Sequence, residues 1–323
     1  MNISWEIVLD NLTSVAVLLF ILGFIGARFK SDLQLPQPIY QFISIYLLFG
    51  IGLKGGNALK GVSPDEFVQP LIATLILGMA IPLFAFLILS FVKKLSEIDR
   101  GALAAHYGST SLVTFSAALI YLENSGIEFE GFVTALLTVM EIPGIVIGVF
   151  LGARHRTVKV KWAETLQEII VGKTVLLLVG GLLIGFIAPV ASYDKVAPVF
   201  VDLLGGILAL FLLHLGFLAG SNWDAIKSLG RPMTVFGILF PIFSGSLGVI
   251  AGSLSGLSVG GSVVLGVLCA SASYIAAPAA VAIALPEANS SVALMSSIGI
   301  TFPFNLVFGI PLLLELAKAI VPA

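Results

Sequence analysis

Long apolar runs separated by short polar or charged stretches fill the sequence. Ten of them approach the roughly 20 residues that a membrane helix needs. They lie near 7–27, 36–56, 67–92, 99–122, 130–152, 170–190, 196–220, 232–256, 260–286 and 290–318. The pattern predicts an all-α polytopic membrane protein with ten transmembrane helices. Two runs carry a polar interruption at their midpoints, Tyr107-Gly108-Ser109-Thr110-Ser111 in the fourth and Ser271-Ala272-Ser273-Tyr274 in the ninth, with Pro278 following. Proline cannot donate to the helix ladder and is best tolerated in a first turn. Spans 4 and 9 are therefore predicted to be broken helices whose second halves begin near Ser109 and Ser273, each a suitable N-cap.

A short basic stretch, 153–168, leaves five spans on either side, and the two sides match. Gly50-Ile51-Gly52-Leu53-Lys54-Gly55-Gly56 at the end of span two aligns with His214-Leu215-Gly216-Phe217-Leu218-Ala219-Gly220 at the end of span seven, an offset of 164. At the same offset 104–111 meets 268–275, and Glu141-Ile142-Pro143 parallels Thr301-Phe302-Pro303 at 160. An odd number of spans per half inserts the second copy upside down, which predicts a 5+5 inverted repeat. Its parts are 1–152, a cytoplasmic linker at 153–168, and 169–323. With the N-terminus outside, eleven basic residues fall on the inner side, against Lys54, Lys60, Lys195 and Lys318 outside. By the positive-inside rule both termini face out.

Composition excludes several classes. Of 323 residues, 58% are hydrophobic and 11% charged, whereas a soluble domain carries about 25% charged residues. A net charge of −2 leaves no basic face for nucleic acid. No zinc-protease or P-loop motif occurs, and His106, His155 and His214 lack metal-ligand spacing. Neither an enzyme nor a nucleotide-driven pump is expected. Energy then comes from an ion gradient or from the substrate's own, with no cofactor besides a coupling ion such as sodium.

The breaks are where chemistry concentrates. Each helix N-terminus carries about half a positive charge and several unbonded N–H groups. Inverted symmetry brings two such ends together near the midplane, which suits a small monovalent anion without a buried Lys or Arg. The predicted anion site comprises Gly108, Ser109, Thr110, Ser111, Ser271, Ser273 and Tyr274. The competing reading is that the serines bond back to their own helices and the small residues only permit close packing. Carbonyls ending the first half-helices, around 104–106 and 268–270, suit sodium. Glu141 lies in the middle of span five with no charged neighbour in sequence, and a charge at that depth costs at least ~2.5–3.5 kcal/mol. It is the predicted sodium ligand, with Thr138, Thr301 and Asn305 as further oxygen donors. Lys54, His106, Asp202 and His214 are assigned interfacial or packing roles.

Gly108-Ser109-Thr110, Met140-Glu141-Ile142-Pro143, the Ser271-x-Ser273 break with Pro278, and Gly309-Ile310-Pro311-Leu312 together resemble the sodium-dependent bicarbonate transporters of the cyanobacterial high-affinity type. The similarity runs over nearly the whole chain. It implies a homotrimer in a bacterial inner (plasma) membrane, a scaffold of spans 1, 2, 6 and 7, and a mobile core of spans 3, 4, 5, 8, 9 and 10. It also implies bicarbonate at the two breaks with sodium beside it. Tyr274 stands where the family has Asp, Ala276-Ala277 replaces a Ser-Gly pair, and Glu141 is one methylene longer than the family Asp. The linker is shorter than in the cyanobacterial proteins, which bears on regulation by a PII-like signalling protein. The leading expectation is sodium-coupled uptake of bicarbonate or a similar small monovalent anion by an elevator-like movement, eased by the Gly-rich ends of spans two and seven. The alternatives are a cation/proton exchanger with Glu141 as proton carrier, a small monocarboxylate transporter, and an intramembrane enzyme or receptor-like binding protein.

Overall fold

The computed structural model describes residues 12–154 and 160–322. The start of the predicted first span and the basic linker residues Arg156 and Lys159 lie outside these described residues. Among the described residues every regular element is a helix. In chain order these are α1 (Val15–Arg28), α2 (Gln37–Ala58), α3 (Pro64–Leu89), α4 (Glu97–Gly108), α5 (Leu112–Asn124), α6 (Val133–Ala153), α7 (Trp162–Val171) and α8 (Lys173–Ile187). They continue with α9 (Val190–Phe200), α10 (Leu204–Ser221), α11 (Trp223–Ser228), α12 (Gly230–Leu254), α13 (Val259–Ala270), α14 (Ala276–Ala284) and α15 (Ser290–Ile320).

Six helical units among the described residues are long and apolar enough to cross a membrane, counting α9 and α10 together. A seventh is added if α7 and α8, bent by 44° at their junction, form one span. The predicted spans missing from that count are short for separate reasons. In the first, the helix α1 runs only from Val15 to Arg28, 14 residues, and the fourth and ninth are each cut in two, between α4 and α5 and between α13 and α14. The expected breaks are thus present. Serine caps start several helices: Ser63 for α3, Ser96 for α4 and Ser258 for α13 each accept a first-turn N–H.

Two groups of helices follow from which faces carry glycine. α1 packs along α10, and α2 along α8. Gly52 lies against the backbone of Leu178 to Leu182, and an added Cβ at Gly56 would overlap the Leu182 carbonyl; Gly216 meets the Phe20 carbonyl in the same way. Such close approach lets membrane helices gain packing where no hydrophobic drive exists between them. Gly52 and Gly56 are the residues that align with Gly216 and Gly220 at the 164 offset.

The second group joins α3, α4 and α6 to α12, α13 and α15. Two carboxylates tie helix starts together across it. Asp99 accepts the Asn289 N–H at 2.7 Å, and Glu130 accepts the Ser258 N–H at 2.6 Å. Three cavities, of about 580, 400 and 400 Å³, lie along the boundary between the two groups.

Candidate functional site

The two helix breaks lie against each other. Ser273 donates its backbone N–H to the His106 carbonyl at 2.7 Å, and His106 Nδ1 returns to the Ser273 carbonyl at 2.7 Å. A carbonyl only accepts, so Nδ1 carries the proton. The Ser111 N–H donates to Ser271 Oγ at 2.9 Å, and Ser271 Oγ donates to the Leu268 carbonyl at 2.9 Å. The breaks are therefore stitched together from both sides.

Capping at the first break differs from the sequence expectation. Backbone at Ser109 is extended, and Ser111 caps α5, accepting from the Thr114 N–H at 3.2 Å and the Thr114 hydroxyl at 3.0 Å. The Ser-Thr-Ser run offers more than one possible cap, and the bond from Ser111 to Ser271 selects the last. At the second break too the expected cap is displaced: the helix begins at Ala276 with Ile275 at the cap position and no side-chain cap bond, while Ser273 Oγ accepts the Ala277 N–H at 3.3 Å.

These bonds divide the predicted anion-site residues. Ser111, Ser271 and Ser273 spend their oxygens on the stitch and the caps. Ser109, Thr110 and Tyr274 are buried, and their hydroxyls have no partner among the described residues. A buried unsatisfied polar group costs about 1–3 kcal/mol, so three of them at one crossing form a set of donors suited to a ligand. Gly108 supplies space instead: it sits against Pro82 on one side and Gly144 on the other. Replacing Ser271 by Ala leaves the Ser111 N–H without its acceptor. The expected result is a loss of about 1–3 kcal/mol, read as a lower melting temperature in detergent.

α6 runs antiparallel to α4 with Gly144, Gly148 and Gly152 against Gly108, Ala105 and Gly101 respectively. At 3.6 residues per turn Glu141 falls on the same face. One turn past Gly144, it stands level with the break. Glu141 is 3% exposed, and no salt bridge or hydrogen bond reaches its carboxylate among the described residues. Thr138, one turn earlier, makes only a long bond back to the Thr134 carbonyl, at 3.5 Å.

The other two predicted sodium ligands lie on α15, which is not among the main packing partners of α6. Thr301 donates to the Gly237 carbonyl at 2.8 Å, so it accepts from the Tyr107 hydroxyl at 2.7 Å, which in turn accepts from Ser296 at 2.9 Å. Asn305 Nδ2 donates to the Ala270 carbonyl at 2.7 Å, leaving a buried Oδ1 without a partner. Thr138 and Glu141 thus flank the crossing from α6, and Thr301 and Asn305 flank it from α15. No bond joins the two pairs. Two π turns, Ser297–Thr301 and Asn305–Gly309, bracket Pro303 and set the position of both α15 residues. Of the half-helix carbonyls expected to be free, those of Ala105, His106, Leu268 and Ala270 each accept a bond.

His106, assigned a packing role from sequence, is fully buried and holds the crossing together. No local signal marks it, because its partner is 167 residues away. His214 lines a cavity with Tyr274, whereas Lys54 and Asp202 line another beside Glu123, to which Lys54 bonds at 3.1 Å.

Apolar helices of membrane length, with two broken helices joined at their breaks, define an α-helical membrane transporter of the broken-helix class. Residues 15–318 match the Na+-dependent bicarbonate transporter superfamily, and the chain belongs to it. No individual curated protein matches the chain.

Proposed function

We propose that the protein is a secondary transporter that couples sodium to uptake of bicarbonate or a similar small monovalent anion. The observation that carries this reading is the pair of stitched helix breaks, where the Ser109, Thr110 and Tyr274 hydroxyls stand buried and unpaired. Donors of this kind, beside the positive end of α5, favour an anion. Sodium is held next to it by oxygens of the Glu141 and Asn305 side chains, with Thr138 and Thr301 adjoining.

The wider architecture in this reading is ten spans in a 5+5 inverted repeat. Its support is the pairing of α1 with α10 and of α2 with α8, which an inverted repeat relates to each other, along with the matched glycines. The four helices of those pairs, with α7 and α9, act as scaffold. The remaining helices form a core that carries the crossing past the scaffold in an elevator-like step, and the cavities on the boundary between the groups are consistent with such sliding. Both termini face out from a bacterial inner membrane, and the assembly is a homotrimer.

Uptake of labelled bicarbonate into proteoliposomes tests the function. It should require an inward sodium gradient and stop when potassium replaces sodium. Sodium-independent uptake would contradict the coupling, and a pH-jump current without any anion would favour a cation/proton exchanger. Glu141→Ala should raise the sodium half-saturation about tenfold or more, the loss of ~1.4 kcal/mol from one charged ligand. Glu141→Asp keeps the charge and should recover most of that affinity. An unchanged sodium half-saturation in the Ala variant would place the cation elsewhere.

A further inference from the structure

One of the boundary cavities reaches the crossing itself. Its volume is about 400 Å³, and its lining includes Gln37 and Tyr40 at the start of α2, His214 on α10, Tyr274 in the second break and Ile298 on α15. His214 Nδ1 and the Tyr274 hydroxyl are both buried without a partner among the described residues. The two residues are 9% and 6% exposed. Their rings are also fixed in place. His214 lies 5.0 Å from the Tyr40 ring, which stacks on Phe211 at 5.3 Å, and Tyr274 packs edge-on against Phe302 at 6.0 Å. Among the described residues no Asp, Glu, Lys or Arg lines this cavity.

We infer that His214 and Tyr274 form a second anion subsite, one wall from the scaffold and one from the core, that holds a small planar oxyanion as it passes between the crossing and the face where α2 begins. The Tyr274 hydroxyl and an Nδ1–H of His214 both donate, and an oxyanion accepts from both. The absence of a lining carboxylate removes the repulsion such an ion would meet. Because His214 belongs to the scaffold, the subsite exists only when the core is at this end of its travel. The inference rests on the anion-transport reading and adds to it a residue that gives the two membrane faces different affinities.

The test is bicarbonate half-saturation measured from each face of oriented proteoliposomes at saturating sodium, for wild type, His214→Gln, His214→Asn and Tyr274→Phe. His214→Gln should raise the half-saturation about fivefold, the value of one hydrogen bond, on the face where α2 begins, and leave the opposite face and the sodium half-saturation unchanged. Tyr274→Phe, which also takes a donor from the crossing, should raise it from both faces. Asn places a side-chain amide near the Nδ1 position, so His214→Asn should keep the wild-type value. Equal effects of His214→Gln on both faces, no effect of it, or equal loss in the Asn and Gln variants would overturn the subsite while leaving anion transport standing. Wild-type protein without sodium-driven bicarbonate uptake would overturn both.

Discussion

Gly144→Ala should abolish uptake and lower the stability of the folded protein by about 3 kcal/mol, the upper part of the usual range for overpacking a filled site. The added Cβ would overlap the carbonyl of Gly108 and approach the Ser109 nitrogen to 2.7 Å. These are backbone atoms, so no side-chain rotation relieves the contact. Nor can the break withdraw, since Pro82 stands 2.7 Å from the Cβ position of Gly108, and the bonds from His106 to Ser273 and from Ser111 to Ser271 hold the adjoining residues. Relief must therefore come from separating α6 from α4. That carries Glu141 away from the break and damages the site along with the fold. Gly180→Ala is the control: nothing lies within 4 Å of a Cβ there. In a helix interior that change should be neutral or stabilising by up to ~1 kcal/mol. Thermal unfolding in detergent and sodium-driven uptake, measured on both variants, check the contrast. A stable, active Gly144→Ala protein would show that the break tolerates displacement.

The features legible in the sequence are those set by local pattern. Apolar length marked the spans, and centred polar residues marked the breaks at 109–111 and 271–275. The glycines at 52, 56, 216 and 220 matched at one offset because both helix pairs use the same close approach. What escaped depends on partners distant in the chain. His106 borders the polar run at 107–111, but nothing in that run names its partner, and its role appears only when Ser273 is brought beside it. The choice of Ser111 over Ser109 as cap is made by Ser271, 160 residues away. The π turns around Pro303 arise from a proline within a long helix, and the sequence carries no signal for which carbonyls that proline displaces. Most consequential for function is the division between committed and unpaired hydroxyls. Serines at 109, 111, 271 and 273 are chemically alike in the sequence, and only their neighbours in space separate the stitch from the site.

That division yields the second large effect. Ser109 and Thr110 hold hydroxyls with no partner among the described residues, so removing them as Ser109→Ala and Thr110→Val deletes a desolvation cost without breaking a bond seen there. The apo-protein should keep its melting temperature or gain slightly. The anion loses two donors at once, which at about 1 kcal/mol each corresponds to a roughly thirtyfold weaker half-saturation. Ser271→Ala should show the opposite pattern, a less stable protein through loss of the stitch. The most direct measurement is therefore the bicarbonate half-saturation of the Ser109→Ala, Thr110→Val double variant at saturating sodium, taken together with its melting temperature. A half-saturation raised more than about tenfold at an unchanged or higher melting temperature is the predicted result. Wild-type half-saturation in that variant would contradict the placement of the anion at the crossing.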